Sequence, residues 1–133
     1  MANRPILEAP QLSAAVQQTI QQFHPDIVQE VQAAIAANRV VIVGMRWNDA
    51  CSRARMLFKQ HGIEFKYIEY GGYFSEWRRR LALKMWTGWP TFPMIFVNGT
   101  LVGGRSDAAK AFEDGTMKEL LDRARGQTGP ATA

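Results

Sequence analysis

The chain has 133 residues, enough for one hydrophobic core and too few for two independent ones. It is 47% hydrophobic and 21% charged, and Lys plus Arg outnumber Asp plus Glu 16 to 12, for a net charge of +4. The single cysteine, Cys51, excludes an internal disulfide framework and a zinc knuckle, and no metal site is expected. No apolar run approaches the roughly 20 residues of a membrane-spanning helix, so no membrane association is expected. The first residues lead into no signal-type apolar core, which gives a cytoplasmic expectation. The modest positive charge suits solubility or anionic small molecules and is weak support for nucleic acid, which is not expected as a partner.

Residues 1–10 carry two prolines and no periodicity, and read as a loose arm. Leu12, Ala15, Val16, Thr19, Ile20 and Phe23 then recur at helical spacing and share one face of a first helix. His24-Pro25-Asp26 ends it and starts a second, with Pro25 suited to a first turn and Asp26 complementing the helix dipole. Ile27, Val31, Ala34 and Ile35 form the buried stripe of that second helix, and Asn38 is its expected C-terminal cap. Val40 to Val43 is a β-branched run, the pattern of a strand covered on both faces. A helix is expected from Asp49 to Gly62 with Ala54, Leu57 and Phe58 inward, then a strand over Phe65 to Tyr70.

Gly71-Gly72 breaks the chain again, and Ser75 is the expected N-cap of a helix with Trp77, Leu81 and Met85 inward and Gly88 at its end. Met94 to Val97 reads as a third strand, Asn98-Gly99 as a two-residue hairpin turn, and Leu101-Val102 as the antiparallel return. Ser106 or Asp107 can cap a short helix. Thr116 to Glu119 fits a capping box for a last one, with Leu120, Leu121 and Ala124 buried. Residues 126–133 read as a disordered tail, residues 1–25 as an extension and residues 26–125 as the domain. A βαβ unit followed by a hairpin and a terminal helix gives a four-stranded mixed sheet with helices on both faces.

Ligands in such folds sit at the carboxyl ends of the parallel strands. The loop after the first strand carries Arg46, Trp47, Asn48 and the cysteine. Pro93 in Trp89-Pro90-Thr91-Phe92-Pro93 is expected in cis, which would present the Phe92 backbone to an extended peptide-like ligand. Gly103-Gly104-Arg105-Ser106-Asp107 offers backbone amides for a carboxylate and one side-chain carboxylate for an ammonium.

With those residues in place, the segment from about Asp26 to Arg125 resembles the glutaredoxins, thioredoxin-fold proteins that bind glutathione. The matching pieces are Val40-Val41-Ile42-Val43, the Trp89 to Pro93 segment, the Asn98-Gly99 turn, Gly103 to Asp107, and Phe112 to Leu121. The Trp-Pro-Thr-Phe-Pro form is similar to the monothiol branch. The resemblance implies a glutathione site built from Arg46, Asn48, Arg80, Thr91, Phe92, Pro93, Gly104, Ser106 and Asp107, with Lys84 one turn beyond Arg80. It also implies a Cys-x-x-Cys or Cys-x-x-Ser motif at the start of the first crossover helix, and here that motif falls on Asn48-Asp49-Ala50-Cys51. The nucleophilic position is therefore Asn48, and only the second position holds sulfur. An amide cannot attack a disulfide, and no iron–sulfur cluster is expected, because such clusters want thiolates.

Cys51 reads either as a displaced nucleophile with a partly covered sulfur or as a small core residue. Asn48 reads as a helix cap, a ligand contact, or both. The leading expectation is a glutathione-binding protein with a degenerate active site, with weak glutathione-dependent thiol–disulfide exchange through Cys51 left open. The alternative is a non-catalytic domain that docks a protein segment through the Trp47, Trp89 and Arg80 region. A protein thiol or disulfide is the expected macromolecular partner. The first helix either packs on the domain or makes a homodimer surface.

Overall fold

The computed structural model describes residues 3–123, so Ala124 and the tail over 126–133 lie outside the described residues. Along the chain, a 3-10 turn at Ala9–Gln11 precedes α1 (Ala14–Gln21), α2 (Pro25–Ala37), β1 (Val40–Gly44), α3 (Asp49–Gln60), β2 (Lys66–Glu69) and α4 (Trp77–Thr87). The chain then makes β3 (Met94–Val97), β4 (Thr100–Gly103), α5 (Arg105–Asp114) and α6 (Thr116–Asp122). The sheet order is β2-β1-β3-β4. β1 pairs parallel with β2, Gly44 opposite Glu69, and antiparallel with β3, Val43 opposite Met94. β3 pairs antiparallel with β4 through a turn in which Asn98 and Gly99 both take positive φ, as a tight hairpin turn requires.

Strand alternation divides the core in two. Val41, Val43, Met94 and Phe96 face one way and pack with Ile27 and Val31 of α2 and Ala82 and Leu83 of α4. Val40, Ile42, Ile95 and Val97 face the other way and pack with Ala54 and Phe58 of α3, Ala108 of α5, and Met117 and Leu120 of α6. Asn38 caps α2 as expected, with Nδ2 donating to the Ala34 carbonyl at 2.9 Å.

Five local expectations shift. The arm is not featureless, because Ala9–Gln11 makes one turn. Ser75 does not cap α4. Its Oγ accepts from the Gly72 amide, and Glu76 takes the cap position at positive φ. Neither Ser106 nor Asp107 caps α5, which starts after Gly104, and Gly115 rather than Thr116 precedes α6. The largest change is the rotation of α4. Trp77, Leu81 and Met85 lie outward, while Arg80, Ala82 and Leu83 are buried. Helical period alone allowed either stripe. Arg79 selects one by reaching Asp26 and Glu30 of α2, each at 3.0 Å, together with Glu76 at 2.7 Å.

Candidate functional site at the carboxyl end of the sheet

The strand registers bring four segments to one end of the sheet: the loop leaving β1, the end of β2, the entry to β3 and the exit of β4. The β1 loop turns sharply. The Arg46 amide donates to the Gly71 carbonyl, Trp47 takes a φ of 56° and is largely exposed, and Asn48 is extended ahead of α3. Asn48 Oδ1 accepts from the Cys51 amide at 3.0 Å, the bond expected of an asparagine cap. The amides of Asp49 and Ala50 stand in the same first turn, ahead of any intrahelical partner.

Cys51 is 1% exposed. Its thiol lies against Gly44, where an added Cβ would stand 2.9 Å from the sulfur and 2.7 Å from the Tyr67 hydroxyl. Only glycine lets the helix start and the β2 side chain meet over β1 here. Tyr67 donates to Glu69 Oε1 at 3.1 Å, and the Arg55 guanidinium lies 4.2 Å over the Tyr67 ring. Burial pushes the Cys51 thiol pKa up, outweighing the opposing influences of the Met45 backbone and the Arg55 charge. The sulfur, expected to be partly covered, is fully covered.

The Phe92–Pro93 peptide is cis, as expected. Phe92 is buried, Thr91 is exposed, and Lys84 Nζ lies 5.8 Å from the centre of the Phe92 ring. Gly104 sits beside the Pro93 carbonyl, which an added Cβ would approach at 3.7 Å. Asp107 Oδ2 accepts from the Gly104 amide at 3.0 Å, so that amide is already engaged. Gly103, at a φ of 117°, leaves room for the carboxylate, which a Cβ would meet at 2.8 Å. Ser106 is exposed at the start of α5. Arg46 is exposed and 4.0 Å from Glu69.

Arg80 departs from its expected place. It is only 6% exposed, and Nη1 donates to the carbonyls of Tyr70 at 2.8 Å and Ser75 at 2.5 Å. Its guanidinium holds the 70–75 loop rather than standing among the exposed cations, because α4 is rotated inward at this position. Tyr67, Glu69 and Arg55 form the environment of Cys51, and the sequence reading did not connect them to it. The alternation of β2 was the available signal, since it puts Tyr67 on the α3 face of the sheet and Tyr70 on the other.

Three acids in this region resist ionisation. Burial raises the pKa of Cys51, of Tyr67 and of Tyr70, with neighbouring Cys51 and Glu69 adding to the effect on Tyr67, and a bond to Glu30 on Tyr70. Each therefore keeps its proton longer in the folded chain than in the unfolded one. Their contribution is complete below the unfolded values of about 8.5 for a thiol and about 10 for a phenol, and is lost as pH rises through the folded values. Urea midpoints should fall steadily above about pH 8.5. A flat midpoint across that range would contradict the assignment.

Among the described residues, no helix is long and apolar enough to cross a membrane, and no group of three or more His, Cys, Asp or Glu is placed to hold a metal ion. The partly exposed start of α3 carries the Asn48 amide, and Cys51 behind it is buried.

A glutaredoxin family model matches residues 40–102. A glutaredoxin-like protein of Dictyostelium discoideum is 47% identical over 98 residues, covering 74% of this chain and 80% of that protein. The mitochondrial glutaredoxin-2 of Homo sapiens is 33% identical over 99 residues, which is 71% of this chain and 57% of that longer protein. Among solved structures, the buckwheat glutaredoxin–glutathione complex superposes with a TM-score of 0.67 at 27% identity, over 76% of this chain and 92% of that one. Wheat glutaredoxin superposes with a TM-score of 0.64 at 30% identity, over 73% and 90% of the two chains. The fold is thus thioredoxin-like with added N-terminal helices, and the chain belongs to the glutaredoxin family.

Proposed function

We propose that this chain binds glutathione non-covalently and does not use Cys51 as a nucleophile. The observation that carries the reading is the meeting, at one end of the sheet, of the Asn48-capped start of α3, the Phe92–Pro93 peptide and the Gly103–Gly104 turn, with the only thiol sealed beneath them. The buckwheat neighbour holds glutathione on the same fold, which supports the choice of ligand. Phe92 precedes the β3 ladder and is free to pair with the backbone of the tripeptide. Arg46 suits one ligand carboxylate. The Gly104 amide is engaged, so the first-turn amides of Arg105 and Ser106 take the other carboxylate. One oxygen of Asp107 bonds Gly104, and the second is left for the ligand ammonium.

Titration with reduced glutathione, followed by amide NMR, tests this. Saturable shifts are expected at the amides of residues 46–51, 91–92 and 104–107, and they should persist in Cys51→Ser. Asp107→Asn keeps an acceptor for Gly104 while removing the charge, and should weaken binding about tenfold. Absence of saturation at millimolar glutathione would sink the reading. A scaffold that docks a protein segment is the second reading. It is favoured by the exposed Trp47, Phe74 and Trp77 beside Arg46 and Arg78. It predicts no glutathione shifts, and shifts at those aromatics on adding a partner peptide.

A further inference from the structure

α1 poses a physical problem. It has eight residues, and none of them is buried by the described chain. A helix that short is unstable in water without tertiary support. Its Ser13 cap and the bonds from Gln17 to Ala9 and Leu12 are all local. Yet Val16 and Ile20 stand one turn apart on one side of α1, and the apolar Leu12 lies in extended backbone just ahead of the Ser13 cap. Val16 and Ile20 remain 45% and 40% exposed. From Ala9 to Phe23 the chain carries no Asp, Glu, Lys or Arg.

Next to this side an open groove of about 310 Å³ runs between α2 and α4. Its apolar walls are Phe23, Val28, Ala82, Met85 and Trp86, with Ile20 on the rim. None of the residues lining it carries a charge. The inward rotation of Arg80 and the capture of Arg79 by Asp26 and Glu30 leave Met85 and Trp86 facing outward over the groove.

We propose that the chain is a homodimer in which α1 of each copy lies in the α2–α4 groove of the other. The neutrality of both surfaces selects this occupant. A charged peptide would find no counter-charge in the groove, and burying its charges there would cost free energy. A second copy supplies a neutral helix with an apolar side, and gains for α1 the tertiary support it lacks. The exchange is reciprocal, so each copy gives and receives the same contact and the assembly closes at two.

Sedimentation equilibrium of the full chain tests this with two variants at exposed positions. Val16→Glu alters α1 outside the groove, and Met85→Glu alters the groove outside α1. Both should keep the wild-type far-UV circular dichroism. The wild type is expected to sediment at twice the chain mass. Each variant should weaken association about a hundredfold, the effect of forcing a charge into an apolar contact. An equimolar mixture should recover part of the association, because the intact groove of one variant accepts the intact α1 of the other. A wild type that stays monomeric up to millimolar concentration overturns the proposal. So do variants that dimerise undiminished, and a mixture that recovers nothing.

Discussion

Replacing Asn48 with cysteine should give this chain a reactive thiol that it now lacks. The position is the cap of α3, partly exposed, with the first-turn amides of Asp49 and Ala50 directed toward it. A thiolate there gains from the positive end of the helix, and such positions lower a thiol pKa from about 8.5 into the range of about 3.5–7.5. Arg46, two residues earlier in the loop, is a cation whose Nε lies 4.0 Å from the Glu69 carboxylate. Cys51 has the opposite environment. It is held under Gly44 and Tyr67, and burial raises its pKa.

The rate of alkylation at neutral pH is a poor measure of this difference. Lowering a thiol pKa raises the thiolate fraction but also lowers intrinsic nucleophilicity, with a slope of about 0.4–0.5, so the two effects partly cancel. The titration midpoint is the clean measure. Asn48→Cys in a Cys51→Ser background should alkylate with a midpoint below about 7.5. The native wild type should show no alkylation until it unfolds. The same variant should reduce a glutathionylated model peptide with glutathione as second thiol, where the wild type is inert. Losing the bond to the Cys51 amide should cost about 0.5–2 kcal/mol of stability, readable in urea. An introduced thiol that titrates at an ordinary value would show that the helix start does not act on this position. An introduced thiol that titrates low but turns nothing over, in a chain that binds glutathione, would show that the bound tripeptide does not present its sulfur to α3.

The sheet and the site frame were legible because their signals are local. Val40 to Val43 and Met94 to Val97 are continuous apolar runs, Asn98-Gly99 fits one turn geometry, and the Phe92–Pro93 peptide lies between a loop and a strand. What was not legible depends on partners distant in sequence. The face that α4 buries is chosen by Asp26 and Glu30, about fifty residues earlier in the chain, and periodicity contains no record of them. The cover over Cys51 depends on a parallel register that sets Ile42 opposite Tyr67 and on the missing side chain at Gly44. The caps of α5 and α6 slipped because Gly104 and Gly115 took positions where polar side chains stood nearby. Asp107 still contributes, from the third residue of α5 back to the Gly104 amide.

The same logic of distant partners makes Arg80 a sensitive position for stability. One guanidinium nitrogen bridges the carbonyls of Tyr70 and Ser75, and so closes the loop between β2 and α4. The loop in turn positions Arg46, whose amide donates to Gly71. Burial lowers the Arg80 pKa, the direction expected for a charge paired with dipoles rather than with a carboxylate. Arg80→Met keeps the apolar stem and removes the donors, leaving both carbonyls without their partner. Each hydrogen bond to a charged group is worth about 1.5–3 kcal/mol, offset by relief of the desolvation of the charge, so a net loss of about 3 kcal/mol is expected. For a chain of this length that lowers Tm by roughly 10 °C. Glutathione affinity should fall only through the displacement of Arg46, by a few-fold. A ligand cation would give the reverse pattern: Tm nearly unchanged and binding lost by tenfold or more, about 1.4 kcal/mol. The two measurements on one variant therefore separate a residue that holds the loop from one that holds the ligand.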